Sequence, residues 1–167
     1  MTISVHTITK QDIPWVKEIF QREWGGDFIV SNGRKLVPEQ LQGFYAADDS
    51  GNRVGLATYE VVGKDCELVS LNSFSKFAGI GSALITQVTK MAAAHGCHRI
   101  WLTTSNDNLD ALRFYQRRGY AIVGVNRNAI DETRKLKPTI PALGSFGIPI
   151  RDEIILEVNI AKPDEQR

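Results

Sequence analysis

The sequence predicts an α+β fold, a central mixed sheet of about seven strands flanked by helices, and three observations carry that prediction. Residues 43–47, 54–62 and 66–74 are strand-like, and the runs Asp48-Asp49-Ser50-Gly51-Asn52 and Gly63-Lys64-Asp65 between them carry turn chemistry, so the three should form an antiparallel meander. Gly79 and Gly81 then lead into a helical pattern in which Ile80, Leu84, Val88, Met91, Ala92 and His95 recur at steps of three and four and share one face. Residues 99–103 return as a strand, and a helical crossover from the preceding strand makes that pair parallel.

The other elements follow in order. Ile3, Val5 and Thr7 alternate with polar or small residues and mark a first strand. Residues 11–24 turn helical, with Asp12 and Pro14 as start signals and Ile13, Val16, Phe20 and Trp24 on one face, and Gly25-Gly26 ends the run. Residues 29–42, interrupted by Gly33 and Pro38, read as a loop with a short helix near Glu39, a segment suited to closing over a substrate. Gly96 stops the long helix, Asn106-Asp107-Asn108 is a dense cluster of cap formers, and a short helix over 109–118 ends at Gly119. A strand at 120–125 precedes a long connection over 126–149, punctuated by Pro138, Pro141, Gly144, Gly147 and Pro149; long connections are often functional. The last strand starts at Ile150 or Glu153 and ends at Ile160, leaving 162–167 as a frayed tail.

Length and composition bound the function. The 167 residues suit a single domain over 1–167, with a core from about 3 to 160 and a tail from 161 to 167, and no Pro/Ser/Gly-rich linker divides them. Twenty basic and nineteen acidic residues give a net charge of +1, so no bulk field favours nucleic acid or a membrane surface. Residues 1–10 form no apolar block, Cys66 and Cys97 lie in or beside apolar segments, and no apolar run approaches the roughly 18 to 20 residues of a membrane span. The expectation is a cytoplasmic protein, monomeric or homodimeric, with reduced cysteines. His95-Gly96-Cys97-His98 has the composition of a metal tract, but no second ligand cluster accompanies it and His6 is remote, so no metal site is expected.

The turn from Lys76 to Leu84 is the first candidate for chemistry. Glycines at 79 and 81 let the backbone bend tightly and let a ligand approach its N–H groups. A helix start adds unpaired N–H groups and the positive end of the macrodipole, so phosphate or pyrophosphate is the natural guest. A Walker A loop would close on Gly-Lys-Ser/Thr, whereas this turn closes on Gly81-Ser82-Ala83. A dinucleotide fingerprint would place a third glycine where Leu84 stands, with an acidic residue about twenty positions on, and Asp107 is too far along. The third guest is an acyl-coenzyme A, which needs support from elsewhere in the chain.

Two motifs supply that support. Lys76-Phe77-Ala78-Gly79-Ile80-Gly81 is similar to an Arg/Gln-x-x-Gly-x-Gly/Ala turn, and Asn108, Ala111, Tyr115, Gly119 and Tyr120 fit an Asn-x-x-Ala-x-x-x-Tyr-x-x-x-Gly-aromatic run. Together, in this order and context, they make the chain resemble the GNAT superfamily of acyl-CoA N-acyltransferases over most of its length. The resemblance implies a sheet splayed between its fourth and fifth strands with acetyl-CoA, the acyl donor, wedged there. Backbone groups of Leu71, Asn72 and Ser73 would pair with the pantetheine arm, Lys76 would lie near the phosphates, and the amides of Phe77, Ala78, Gly79, Ile80, Gly81 and Ser82 would hold the pyrophosphate. Asn108 would contact the cofactor arm. Lysine at 76 keeps the positive charge of the family's arginine but not its planar fork.

The implied reaction is transfer of an acetyl group to a primary amine by direct attack. Tyr115, whose ordinary pKa near 10 keeps it protonated, is the expected general acid for the departing thiolate. Glu67, on the strand before the glycine turn, is the carboxylate at a family location for a general base; the next strand offers only Thr103 and Thr104 at the alternative one. The acceptor is left open, with residues 28–38 and 126–149 as walls and Arg34, Arg127 and Arg134 as anion contacts. A CoA-binding regulatory module without catalysis is the competing reading, and the retained Asn108 and Tyr115 weigh against it.

Overall fold

Seven strands make one sheet in the order β1-β4-β5-β6-β7-β9-β8, from Ser4–Thr7 (β1), Gln42–Ala47 (β4), Arg53–Val62 (β5), Asp65–Ser73 (β6), Arg99–Ser105 (β7), Glu153–Asn159 (β9) and Ala121–Asn126 (β8). This is the mixed sheet that the sequence predicts, seen in a computed structural model that describes residues 2–75 and 79–161. Helices α1 (Ile13–Trp24), α2 (Ile80–Ala94), α3 (Leu109–Gln116) and α4 (Ala129–Leu136) flank it, and a small hairpin, β2 (Ile29–Ser31) and β3 (Arg34–Leu36), stands apart as a second sheet. The chain falls into two compact units, one of residues 1–16, 38–100 and 159–167, the other of 17–37 and 101–158.

The first unit is the meander and its helix. β1 pairs with β4, β4 with β5 and β5 with β6, all antiparallel. One side of α2 is buried through Ile80, Leu84, Ile85, Val88 and Ala92; Ile85 joins the expected face and His95 stays exposed, so the stripe is rotated slightly from the sequence pattern. Gly55 on β5 makes room for it. A Cβ there would stand 2.6 Å from Ile80 Cγ2, 3.0 Å from Leu84 Cδ1 and 3.0 Å from the Asn72 carbonyl oxygen. The start of the chain is locked to this unit by Asp12, which caps the turn before α1 by accepting from the Thr9 N–H at 2.8 Å and ion-pairs with Arg53 at 2.5 Å. Burial pushes the Asp12 carboxyl up, but the bonds from Thr9 and Arg53 outweigh it and hold the group below the ordinary carboxylate range. Arg53 in turn stacks over Trp15 and Tyr45, each ring centroid 4.5 Å away.

The second unit holds two elements that the apolar pattern does not announce. Residues 29–36 form a hairpin whose turn residues Asn32 and Gly33 have φ of 50° and 76°, the signature of an Asn-Gly turn between strands too short to show a period of two. The hairpin is tethered within its unit: Ser31 Oγ lies 2.7 Å from Thr103 Oγ1, and the Asn32 N–H donates to the Glu153 carboxylate at 3.2 Å. The short helix expected near Glu39 is present as a 3-10 turn at Pro38–Gln40. Within the long connection lies α4, which has no fully buried residue and carries the i,i+3 pairs Asp131–Arg134 and Glu132–Lys135, both 2.9 Å. Its half-buried face consists of Ala129, Ile130, Thr133 and Arg134, too short and too polar to stand out as an apolar stripe.

Gly55→Ala should lower stability by about 1 to 3 kcal/mol, because the added methyl must push α2 away from β5 or distort Ile80. A lower urea midpoint at unchanged m-value is the expected result, and an unchanged midpoint would show that the contact yields freely.

Candidate active site

In the first unit the residues that the sequence assigns to the site lie on β6 and at the start of α2. Gly79 is the N-cap of α2 with φ 100° and ψ −8°, a left-handed conformation that side chains resist, and its carbonyl accepts the first helical bond from Ala83 at 2.8 Å. Ile80 and Gly81 follow in the first turn, where N–H groups have no carbonyl a turn back inside the helix. The Ile80 side chain is 0% exposed in the core, so only its backbone is placed to serve a ligand. Gly81 and Ser82 are half-buried. Lys76, Phe77 and Ala78, which the sequence assigns to the same turn, lie outside the described residues. Leu71, Asn72 and Ser73 are the last residues of β6, and Ser73 Oγ donates to the Ser75 carbonyl at 3.0 Å.

A bulge decides which way Glu67 faces. Thr58 pairs with Ser70 and Tyr59 with Leu68, so Val69 is an extra residue on β6. Strict alternation would put positions 67 and 70 on opposite faces of the sheet; the inserted residue restores them to the same one. Glu67 lies across from Glu60, Ser70 across from Thr58 and Asn72 across from Leu56, so the polar side chains of β6 line one face. Glu67 is only 3% exposed. Ser70 Oγ and Thr58 Oγ1, both buried, are 2.6 Å apart. The neighbouring Cys66 thiol is pushed up to about 12 by burial, with Cys97 and Glu67 adding to the effect, so it stays a protonated and inert core residue.

The second unit carries the other motif and shows what each of its residues does locally. Asn108 is the N-cap of α3, its Oδ1 accepting from the backbone N–H of Ala111 at 3.1 Å, which accounts for a capping residue at this position. Gly119 has φ 91° and ends the helix, letting the Tyr120 N–H return to the Tyr115 carbonyl at 3.1 Å. The Tyr115 and Tyr120 rings then meet edge-on with centroids 5.3 Å apart, and Phe114 packs on Tyr115 at 5.1 Å. Tyr115 is 8% exposed, and burial pushes its phenol well above its ordinary value, the Tyr120 phenol adding to the shift and Arg118 opposing it. Protonated Tyr115 is therefore the dominant form throughout the neutral range.

The sequence reading missed the residues that hold the connections around α3. Asp107, read only as part of a cap cluster, is buried and accepts from Ser105 Oγ at 2.5 Å and from the Ser145 N–H at 2.9 Å. A Cβ on Gly144 would fall 2.1 Å from Asp107 Oδ2, so glycine is required where the connection passes this carboxylate. Glu153 takes Asn126 Nδ2 at 2.9 Å beside the hairpin amide. Arg134, expected as an anion contact, instead donates to the carbonyls of Ile150 at 2.7 Å and Pro141 at 2.9 Å and pairs with Asp131, which clamps the connection. Lys137 is buried, donates to the carbonyls of Trp24 and Phe28, and has its ammonium pushed below the usual lysine range by burial, against the pull of Asp27. Among the described residues no group of three or more His, Cys, Asp or Glu side chains is arranged to hold a metal, and no helix is long and apolar enough to cross a membrane.

Residues 13–120 match the family model of the acetyltransferase (GNAT) family. The chain belongs to that family. It is 43% identical over 138 residues to the uncharacterized protein YdhI of Bacillus subtilis (strain 168), which covers 83% of this chain and 86% of the relative. Among solved structures, a GNAT family acetyltransferase from Elizabethkingia anophelis with acetyl-CoA bound superposes with a TM-score of 0.70 at 18% identity, covering 95% of this chain and 98% of that one. The ribosomal-protein-S18-alanine N-acetyltransferase of Escherichia coli does so with a TM-score of 0.70 at 16% identity, covering 99% of each chain. At such identity the structural matches establish the fold, the mixed seven-stranded sheet with flanking helices.

The burial of the phenols has a direct spectroscopic consequence. Tyr115, and Tyr59 through burial and its neighbour Cys66, should ionise later than an unperturbed tyrosine near pH 10. Tyrosinate absorbance followed against pH should show a late fraction that shrinks in Tyr115→Phe. Loss of an early-titrating phenol instead would contradict the burial of this side chain.

Proposed function

We propose that the protein is an N-acetyltransferase that moves the acetyl group of acetyl-CoA onto a primary amine by direct attack. The observation that carries this reading is the placing of Tyr115, 8% exposed on α3 at the tyrosine position of the motif, where an ordinary phenol is protonated at neutral pH and so has a proton to give. In the proposed reaction the amine nitrogen bonds to the thioester carbonyl carbon, the carbon–sulfur bond breaks, and Tyr115 gives its proton to the departing thiolate. Glu67 takes the proton that the attacking amine loses, directly or through water, from the face of β6 to which the bulge turns it. Family membership supports the acyl transfer, and the acetyl-CoA bound to the Elizabethkingia anophelis structure supports this donor.

We assign the cofactor to the backbone of Leu71, Asn72 and Ser73 and to the turn from Lys76 to Ser82. Gly79 supports the assignment because its left-handed cap starts α2 abruptly, leaving the amides of Ile80 and Gly81 at the positive end of the helix dipole, where a pyrophosphate is stabilised. Asn108, which caps α3, is assigned beside the cofactor arm.

Release of free CoA thiol from acetyl-CoA across a panel of amines tests the activity itself. Tyr115→Phe should lower kcat by at least tenfold, acid–base assistance being typically worth about 10² to 10⁴, with little change in the KM for acetyl-CoA. An unchanged kcat would remove tyrosine from the mechanism. Glu67→Gln should abolish the ascending limb of the pH–rate profile, since the amide has no proton to lose, and a preserved limb would assign the base elsewhere.

A further inference from the structure

On β6, between the two residues flanking it in the proposed cofactor strand, stands Asn72. Its Oδ1 is shut off from solvent and has no hydrogen-bond partner among the described residues. Such a group is expensive: an unsatisfied buried acceptor costs about 1 to 3 kcal/mol, and native proteins pair nearly all of them. An apolar residue of the same shape would avoid the cost, because Asn72 stands across from Leu56, itself 0% exposed, and Leu56 stands across from Tyr45. The surroundings of Asn72 on this face therefore do not call for an amide. Ser70, two residues earlier on the same face, shows the contrasting case, with its hydroxyl satisfied by Thr58 at 2.6 Å.

The bulge at Val69 gives this position its meaning. Because of it Asn72, Ser70 and Glu67 all face one side of the sheet, so the amide and the proposed base serve the same side. At roughly 3.3 Å of rise per residue they stand too far apart along the strand, and Asn72 and Glu67 therefore cannot contact the same atom of a ligand.

Resting on the acetyltransferase reading, we propose that the Asn72 side chain is a ligand-positioning group, its Oδ1 accepting a hydrogen bond from an N–H of a bound substrate. Two substrates carry such a donor. The pantetheine arm of the acyl-CoA has amide N–H groups, and the acceptor has its own amine or amide N–H groups. The shared chemistry is a single neutral hydrogen bond, and its loss corresponds to a change in affinity of about five- to tenfold.

Asn72→Leu, close in volume and without polar atoms, separates this role from a structural one. If Oδ1 is satisfied only by ligand, the unliganded variant should melt at the wild-type temperature or above, while ligand affinity falls about five- to tenfold. Asn72→Asp, which keeps an oxygen acceptor, should recover more of that affinity than Asn72→Leu does. Calorimetric titration with CoA alone reads the pantetheine source as a raised Kd. An unchanged Kd for CoA with a raised KM for the amine found by thiol release reads the acceptor source. A lower melting temperature for Asn72→Leu without ligand, or unchanged values for both ligands, would overturn the proposal. Failure of wild-type protein to bind CoA at all would instead overturn the acetyltransferase reading, so the two failures are told apart.

Discussion

The close seating of α2 on β5 is the constraint on which the rest of the first unit depends. Ile80 and Leu84 approach the backbone of β5 at the one position, Gly55, where no side chain intervenes. At the start of that helix Gly79 supplies the left-handed N-cap, a conformation that a side chain would resist. The two glycines are thus parts of one device, a packing glycine on the strand and a conformational glycine at the cap. Together they fix where the first-turn amides of α2 lie relative to the end of β6. A phosphate bound there, as the proposed cofactor assignment has it, would meet N–H groups whose positions are set by core packing, so little ordering entropy would remain to be lost.

The bulge on β6 plays the corresponding part for side chains. A regular strand would send Glu67 to the opposite face from Ser70 and Asn72; one extra residue gathers the three. The cost of that arrangement is polar burial, since Glu67 and Ser70 are each 3% exposed in a strand whose neighbours Cys66 and Leu68 are core residues. A sheet concerned only with stability would place apolar side chains at these positions. Concentration of polar groups on one face of one strand, at a register irregularity, is what distinguishes a site from a scaffold.

How much of this was legible in the sequence follows from which signals are local. The Gly79 turn, the Asn108 cap and the Tyr115, Gly119 and Tyr120 set were readable because each is a short-range arrangement: a left-handed glycine, an asparagine three residues before the amide it caps, and a glycine that folds one aromatic back onto another. The meander was readable because its turns carry Asp, Asn and Gly. Three features were not legible. The bulge depends on pairing between strands, and nothing in the run from Cys66 to Ser73 marks Val69 as the extra residue. The β2–β3 hairpin does carry a local signal, Asn32-Gly33, but its strands of three residues are too short for the periodicity that would have given that turn its context, and its tethers, Thr103 and Glu153, are distant. Helix α4 has no fully buried residue, and its exposed ion pairs contribute little, so what holds it in place is its tethers, Arg134 to the carbonyls of Pro141 and Ile150.

The same distinction corrects a natural inference about charge. Basic residues in the variable stretches of such a chain invite the reading that they await an anionic substrate. Here two of the most deeply set cations serve backbone carbonyls instead: Arg134 ties α4 to Pro141 and Ile150, and Lys137 closes over Trp24, at the end of α1, and Phe28. A carbonyl at a helix end carries partial negative charge and needs a donor, and a long cationic side chain reaches it without further folding of the loop. Their role is to give an otherwise unstructured connection a fixed shape. The charges of Arg134 and Lys137 therefore give no measure of the charge on the acceptor, because backbone carbonyls engage both.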